Sequence, residues 1–295
     1  MLSRLALVCV LSGLAMAGCA SKPPSNLEAP KTAYVPVAEK QSILGRDRGS
    51  EAENPAFDRF GKAPGSKRDG SLAGRTLVVS SLSEIRLRDK EVILTFDDGP
   101  MPGKTDRVLN ILSQYGVKAT FLMVGQMAKS YPAVAARVVS HGHSIGGHTY
   151  NHANLAKAGN SRALDDIATG NAAVTRATGA PVGFFRFPYL VDTGALRNSV
   201  AARGMVILDV DIDTKDYFKS SPATIAARTM AQVRARRKGI ILMHDIHHRT
   251  AAMLPSLLSQ LKAGGYKVVD LKYRGSRVPQ ALVSAETGQT RTHHM

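Results

Sequence analysis

The sequence predicts an α/β fold, a parallel sheet rolled into a barrel, over residues 75–273. Three observations predict it. Strand-like and helix-like segments alternate from residue 76 to residue 271, and such alternation builds parallel strands joined by crossover helices. About 200 residues suit one barrel-sized domain. Nearly every strand ends in polar residues, as at the C-terminal face of a barrel, where such folds gather their chemistry. Alternation alone does not separate a barrel from an open sheet.

A leading strand is expected at residues 76–80. Residues 91–96 make a stronger one: Val92, Ile93, Leu94 and Phe96 are apolar β-formers, and the run breaks into Asp97, Asp98, Gly99 and Pro100. Residues 105–115 carry Val108, Ile111, Leu112 and Tyr115 at helical spacing and stop at Gly116. Strand 119–124, helix 132–140 and strand 143–148 follow. A long helix at 161–177 has Ser161 at its cap position, with Asp165 and Asp166 where carboxylates oppose the helix dipole. The remaining units are strand 183–187 with helix 194–202, strand 205–211 with helix 222–236, strand 240–244 with helix 251–262, and a last strand at 267–271.

The first 74 residues stand outside this alternation. Arg4 precedes a short apolar run ending in small residues, the plan of a bacterial secretory signal and too short for a transmembrane helix. Met16-Ala17-Gly18-Cys19 resembles a lipobox, with Met16 where Leu is usual. The signal peptide would then be residues 1–18, and Cys19 the lipidation site that anchors the chain to a membrane. The other cysteine, Cys9, lies inside the signal, so the mature chain has no disulfide. An ordinary signal with an incidental Cys is the alternative. Ala20 and Ser21, with no Asp beside the Cys, resemble the sorting signal for an outer membrane, facing the periplasm, in a Gram-negative host. Residues 19–74 are rich in Pro, Ser, Lys, Gly and Glu and read as a disordered tether. Residues 274–295 read as a polar tail.

The chain carries a net charge of +16 with His neutral. Such a balance suits nucleic acid, but an exported chain does not meet genomic DNA and no nucleic-acid motif is present. The charge is read instead as attraction to an anionic envelope surface, phospholipid or cell wall, or as an ordinary solvated face. Arg234, Arg236, Arg237 and Lys238 cluster at an expected helix C-terminus, where cations are favoured.

The strand ends carry the chemistry. Asp97 and Asp98 are adjacent anions at the end of a buried strand, costly unless a cation lies between them or one is protonated. A plain Asp-Gly turn is the bland alternative. Later ends read His148-Thr149-Tyr150-Asn151-His152, Arg186-Phe187-Pro188-Tyr189, Asp213-Thr214-Lys215-Asp216-Tyr217 and Leu242-Met243-His244-Asp245. Carboxylates, paired imidazoles, an arginine and a third histidine at successive strand ends exceed what incidental placement supplies.

These stretches resemble, in order, the five motifs of the polysaccharide deacetylase family, the NodB-homology carbohydrate esterases. The match covers residues 91–271. The resemblance implies a distorted (β/α) barrel with about seven repeats rather than eight. It implies one divalent metal ion held by Asp98, His148 and His152, zinc first, with cobalt, manganese or nickel as alternatives. A carboxylate with two neutral imidazoles suits zinc or cobalt. It also implies Asp97 as general base, Arg186 as the group that orients it, and the Tyr189 backbone N–H as a donor to the tetrahedral oxygen. His244 is the implied general acid, with Asp216 as its carboxylate partner and Asp213 as second candidate. Pro188, Tyr189, Tyr217 and Leu242 are expected to bind substrate, Tyr217 and Leu242 as walls for an acetyl methyl group. The family has Trp where this chain has Tyr217, and the chain contains no Trp. His247 and His248 are read as loop or helix-cap residues.

The activity so implied is metal-dependent hydrolysis of N-acetyl groups from N-acetylglucosamine-type units of an envelope glycan. Peptidoglycan comes first, exopolysaccharide or chitooligosaccharide next. An O-acetyl glycan esterase of the same fold and a non-catalytic cell-wall-binding lipoprotein are the alternatives. No nucleic acid and no obligate protein partner is expected.

Overall fold

The computed structural model describes residues 70–275. The signal, the Cys19 site, the tether up to residue 69 and the tail from residue 276 lie outside the described residues. Strands are β1 (Ala73–Val79), β2 (Glu91–Asp97), β3 (Thr120–Met123), β4 (Ser144–Gly147), β5 (Phe184–Phe185), β6 (Val206–Ile207), β7 (Ile212–Asp213), β8 (Gly239–His244) and β9 (Lys267–Tyr273). Helices are α1 (Lys104–Gln114), α2 (Gly125–Ser130), α3 (Pro132–Ser140), α4 (Asn160–Thr178), α5 (Gly194–Ala202), α6 (Pro222–Arg236) and α7 (His248–Ala263). Every recorded strand pair is parallel.

Strand β2 is the axis of the sheet. It pairs with β3 on one side, and β4, β5 and β6 follow in order; on the other side it pairs with β8, which pairs with β7. In a flat sheet β5 would lie three strand spacings, about 14 Å, from β2. Arg186, the residue after β5, nevertheless hydrogen-bonds Thr95 Oγ1 at 2.8 Å and Asp97 Oδ1 at 2.7 Å on β2. The sheet is therefore rolled, with Arg186 crossing its interior. Alternate residues of β2 divide between the two faces. Val92, Leu94 and Phe96 join the core beneath the helices, while Ile93 faces the barrel interior with Leu122, Phe184 and Ile240.

Strand β9 closes the floor. It pairs with β2 only at Glu91 and Val92 before β8 takes over that edge. It then runs beneath the strand starts: Leu271 O accepts from Ser144 Oγ, and Tyr273 OH donates to Gly204 O at 2.7 Å. Val269 and Leu271, with Val79 of β1, complete the interior cluster.

Three differences from the sequence reading have physical causes. Helix α4 starts at Asn160 with Gly159 at its cap position, so Ser161 is not the cap. Residues 205–211 do not form one strand, because Arg186 takes the Leu208 carbonyl at 3.0 Å and the Asp209 carbonyl at 3.4 Å. Those groups serve a side chain instead of a ladder, leaving the short β6 and β7. Helix α2 is too short to show a period in sequence.

Candidate active site

The mouth of the barrel is assembled from the strand ends. Asp97 and His244 are register partners on β2 and β8 and face one cavity. His148 leaves the end of β4, its N–H bonded to Met123 O at 2.8 Å. The loop after it carries two left-handed residues, Thr149 at φ 66° and His152 at φ 59°. Two features hold it there. The first two N–H groups of α2 reach its carbonyls, Gly125 to Thr149 at 2.9 Å and Gln126 to Tyr150 at 2.8 Å. On α4, Gly170 lets the helix backbone approach, since a Cβ there would lie 2.5 Å from the Thr149 carbonyl carbon. The missed helix α2 is thus part of what aims the two imidazoles.

Asp98, His148 and His152 bring their ligand atoms within 4.8 Å of one another. Asp98 Oδ1 lies 3.3 Å from His152 Nε2 and 3.5 Å from His148 Nε2, and it is buried with no hydrogen-bond partner. Against the carbonyl of Arg186, at 2.8 Å, His148 Nδ1 serves as the N–H donor, which leaves the Nε2 lone pair toward Asp98. Burial lowers the His148 pKa despite the charges of Asp97 and Asp98, so the ring is neutral. An orphaned carboxylate oxygen between two imidazoles, one fixed as a neutral Nε2 donor, fits a zinc-class divalent ion.

Asp97 stands beside this set, with Oδ2 at 3.8 Å from His148 Nε2. Its Oδ1 is fixed by Arg186, whose guanidinium also bonds Thr95 and the Leu208 and Asp209 carbonyls. Both side chains are almost fully buried, so losing either partner would strand a charge in the interior.

Across the cavity, His244 Nδ1 meets Asp216 Oδ1 at 2.7 Å, and its backbone N–H bonds Asp216 Oδ2 at 2.8 Å. Thr250 Oγ1 donates to the same Oδ2 at 2.6 Å. Burial alone would lower the His244 pKa; the hydrogen bond and charge of Asp216 outweigh it and raise the value to about 9. Burial likewise pushes Asp216 up, and the bonds from His244 and Thr250 outweigh it and hold Asp216 below its usual range. Asp213, the second candidate, has a different duty. It accepts from Tyr217 OH at 2.9 Å and from Lys215 N at 2.8 Å.

The cavity between these groups measures about 410 Å³. Leu242 and Tyr217 wall it, as does Tyr189, held at φ 60° with its ring edge-on to His152, centroids 4.7 Å apart. Pro188 is buried and does not line the cavity; the turn Pro188–Leu190 sends Tyr189 and Leu190 into it instead. His247 is the N-cap residue of α7 and His248 its first residue, so the helix begins before the expected residue 251. Sequence reading passed over Leu190, which lines the cavity, and Asp245, which is buried behind it. Burial pushes the Asp245 carboxyl up to about 7, opposed by the Thr105 hydroxyl. Its signal was in plain view: a charged residue directly after a buried strand. A larger cleft of about 770 Å³, lined by Arg86, Arg236 and Lys238 near the strand starts, contains no imidazole.

A rolled parallel sheet with carboxylates, imidazoles and a buried arginine gathered at its C-terminal mouth is the plan of a β/α-barrel hydrolase. The polysaccharide deacetylase family profile matches residues 84–208. A peptidoglycan-N-acetylglucosamine deacetylase of Bacillus cereus is 35% identical over 189 residues, 60% of this chain and 68% of that protein. A chitin deacetylase of Colletotrichum lindemuthianum is 32% identical, covering 60% of this chain and 76% of its own length. The peptidoglycan-N-acetylglucosamine deacetylase PgdA of Listeria monocytogenes is 34% identical over 62% of this chain, which spans only 38% of that protein. Among solved structures, a family 4 carbohydrate esterase from Streptomyces lividans in complex with acetate superposes with a TM-score of 0.56 at 31% identity, over 61% of this chain and 91% of that one. The chain belongs to the polysaccharide deacetylase family.

Proposed function

We propose that this protein removes acetyl groups from N-acetylglucosamine units of an envelope glycan, peptidoglycan first. The observation that carries the reading is the convergence of Asp97, the Asp98-His148-His152 set and His244 on one cavity. Relatives named as peptidoglycan and chitin deacetylases support the substrate class.

A divalent ion held by Asp98, His148 and His152 would supply Lewis acidity to the amide carbonyl. Asp97, oriented through Oδ1 by Arg186, takes the proton of the attacking water as its oxygen bonds the acyl carbon. The Tyr189 backbone N–H donates to the tetrahedral oxygen. His244, with a pKa of about 9, is protonated at neutral pH and gives that proton to the nitrogen as the C–N bond breaks. The products are acetate and a free sugar amine. Tyr217 and Leu242 hold the acetyl methyl group.

The test is acetate release from N-acetylglucosamine oligomers and from purified peptidoglycan, with and without chelator. Chelator-sensitive loss of one acetyl mass per event supports the reading. Release from O-acetylated glycans alone would replace it with the ester-cleaving one, the class named for the Streptomyces lividans structure. Bound metal with no release from any acetylated glycan would leave a wall-binding protein. The address is proposed on sequence alone: lipidation at Cys19 and residence in the cell envelope, checked by loss of fatty-acid labelling in Cys19→Ala.

A further inference from the structure

Asp245 is buried, ionisable and unused by the reaction above. Asp97 and His244 are partners on adjacent strands, and both face the cavity. Strand alternation should send the next residues, Asp98 and Asp245, to the opposite face. Asp245 obeys. It lies 1% exposed behind the mouth and accepts from Thr105 Oγ1, in the first turn of α1, at 2.5 Å. Asp98 disobeys: at φ 77° its backbone turns left-handed, and its carboxylate stays beside His148 and His152. A non-glycine residue holds that conformation only where its surroundings enforce it.

The enforcement comes from behind. A Cβ on Gly99 would lie 2.2 Å from Asp245 Oδ2, so the carboxylate occupies the space beside the Gly99 backbone. Thr105 Oγ1, while donating to Asp245, accepts the N–H of Met101 at 2.8 Å. Gly99 O is fixed by Val124 N at 3.0 Å. Residues 98–101 are thus gripped from the residue after β8 and from α1 at once.

We propose that Asp245 is a positioning residue: through Gly99 and Thr105 it holds the turn that aims Asp98 at the two imidazoles, and so sets the affinity of the site for a divalent ion. The inference rests on the ion-site reading and is independent of the glycan.

The experiment is titration of the purified chain with Co²⁺, followed by visible absorption, and with Zn²⁺ against a competing chelator. Asp245→Ala should weaken binding by about 10–100-fold, and Asp245→Asn, which keeps an acceptor for Thr105, by less than about tenfold. Wild-type affinity in Asp245→Ala overturns the proposal, even if that variant melts earlier, since a mere filler would lower thermal stability and leave the site intact. Should the Ala variant fail to fold by circular dichroism, Thr105→Val decides: weaker binding is expected, and unchanged binding overturns the proposal. Wild-type protein that binds no ion would instead remove the Asp98-His148-His152 assignment.

Discussion

The two poles of the barrel are built on opposite principles. At the floor, β9 and β1 lay Val269, Leu271 and Val79 against Ile93, Leu122 and Phe184, an apolar cluster. At the mouth stand Asp97, Asp98, His148, Arg186, Asp216 and Asp245, all charged or titratable and most of them buried. Backbone strain follows the same division. Of the eight non-glycine residues with positive φ among the described residues, six (Asp98, Thr149, His152, Tyr189, Leu190 and Lys215) lie on mouth loops, and Lys90 and Arg237 lie at turns near the floor. One pole stores stability and the other spends some of it on geometry. Changes at the floor should therefore move stability and spare chemistry, and changes at the mouth should move chemistry whatever they do to stability.

The largest effect is expected from the mouth. His148→Ala or His152→Ala should abolish tight metal binding and turnover together, read by metal content and acetate release. Asp97→Asn should keep the ion and cut kcat by about 10²–10⁴-fold. Full activity in Asp97→Asn would remove it as the base. At the other pole, Phe184→Ala should cost about 3–5 kcal/mol in denaturant unfolding while the folded enzyme keeps its kcat. A fall in kcat at unchanged stability would break the division between the poles.

A middle-sized effect is expected in the pH profile. His244 must be protonated to donate, and its folded pKa lies above the ordinary 6.5, at about 9. Activity should therefore persist through neutral pH and fall as pH rises through about 9. Asp216→Asn removes the largest of the influences that raise the value and leaves the burial that lowers it, with the charges of Asp97 and Asp98 still raising it. Its alkaline limb should move to lower pH, measured as kcat against pH. An unmoved limb would assign that ionisation elsewhere.

The sequence carried the strands and the ends that hold chemistry because both are local patterns. An apolar run breaking into Asp97-Asp98, or a His148 and His152 pair, is visible without tertiary structure. What it hid was set by contacts distant in sequence. Arg186 competes with the ladder for the carbonyls of Leu208 and Asp209, and nothing near those residues announces it. Helix α2 earns its place through the Thr149 and Tyr150 carbonyls it binds, not through an apolar stripe. The choice between Asp213 and Asp216 depended on which carboxylate the rolled sheet delivers to His244, and the turn at Pro188 sends Tyr189 and Leu190, not Pro188, to the cavity.

The smallest effect tests how sharply the mouth is tuned at its rim. Tyr217 presents its ring edge-on to His244, centroids 5.5 Å apart, and is anchored by the bond from its hydroxyl to Asp213. Burial and that carboxylate push the Tyr217 pKa up to about 12, so the hydroxyl stays a donor throughout the working range. Tyr217→Phe removes the anchor and keeps the wall. It should cost about 1 kcal/mol or less in stability, raise KM about threefold or less and leave kcat unchanged. Tyr217→Ala removes the wall as well and should lower kcat/KM by about tenfold, the worth of a partly exposed apolar contact. Equal losses in the two variants would mean that the hydroxyl, not the ring, is what the substrate meets, and Tyr217 would then belong with the polar machinery of the mouth.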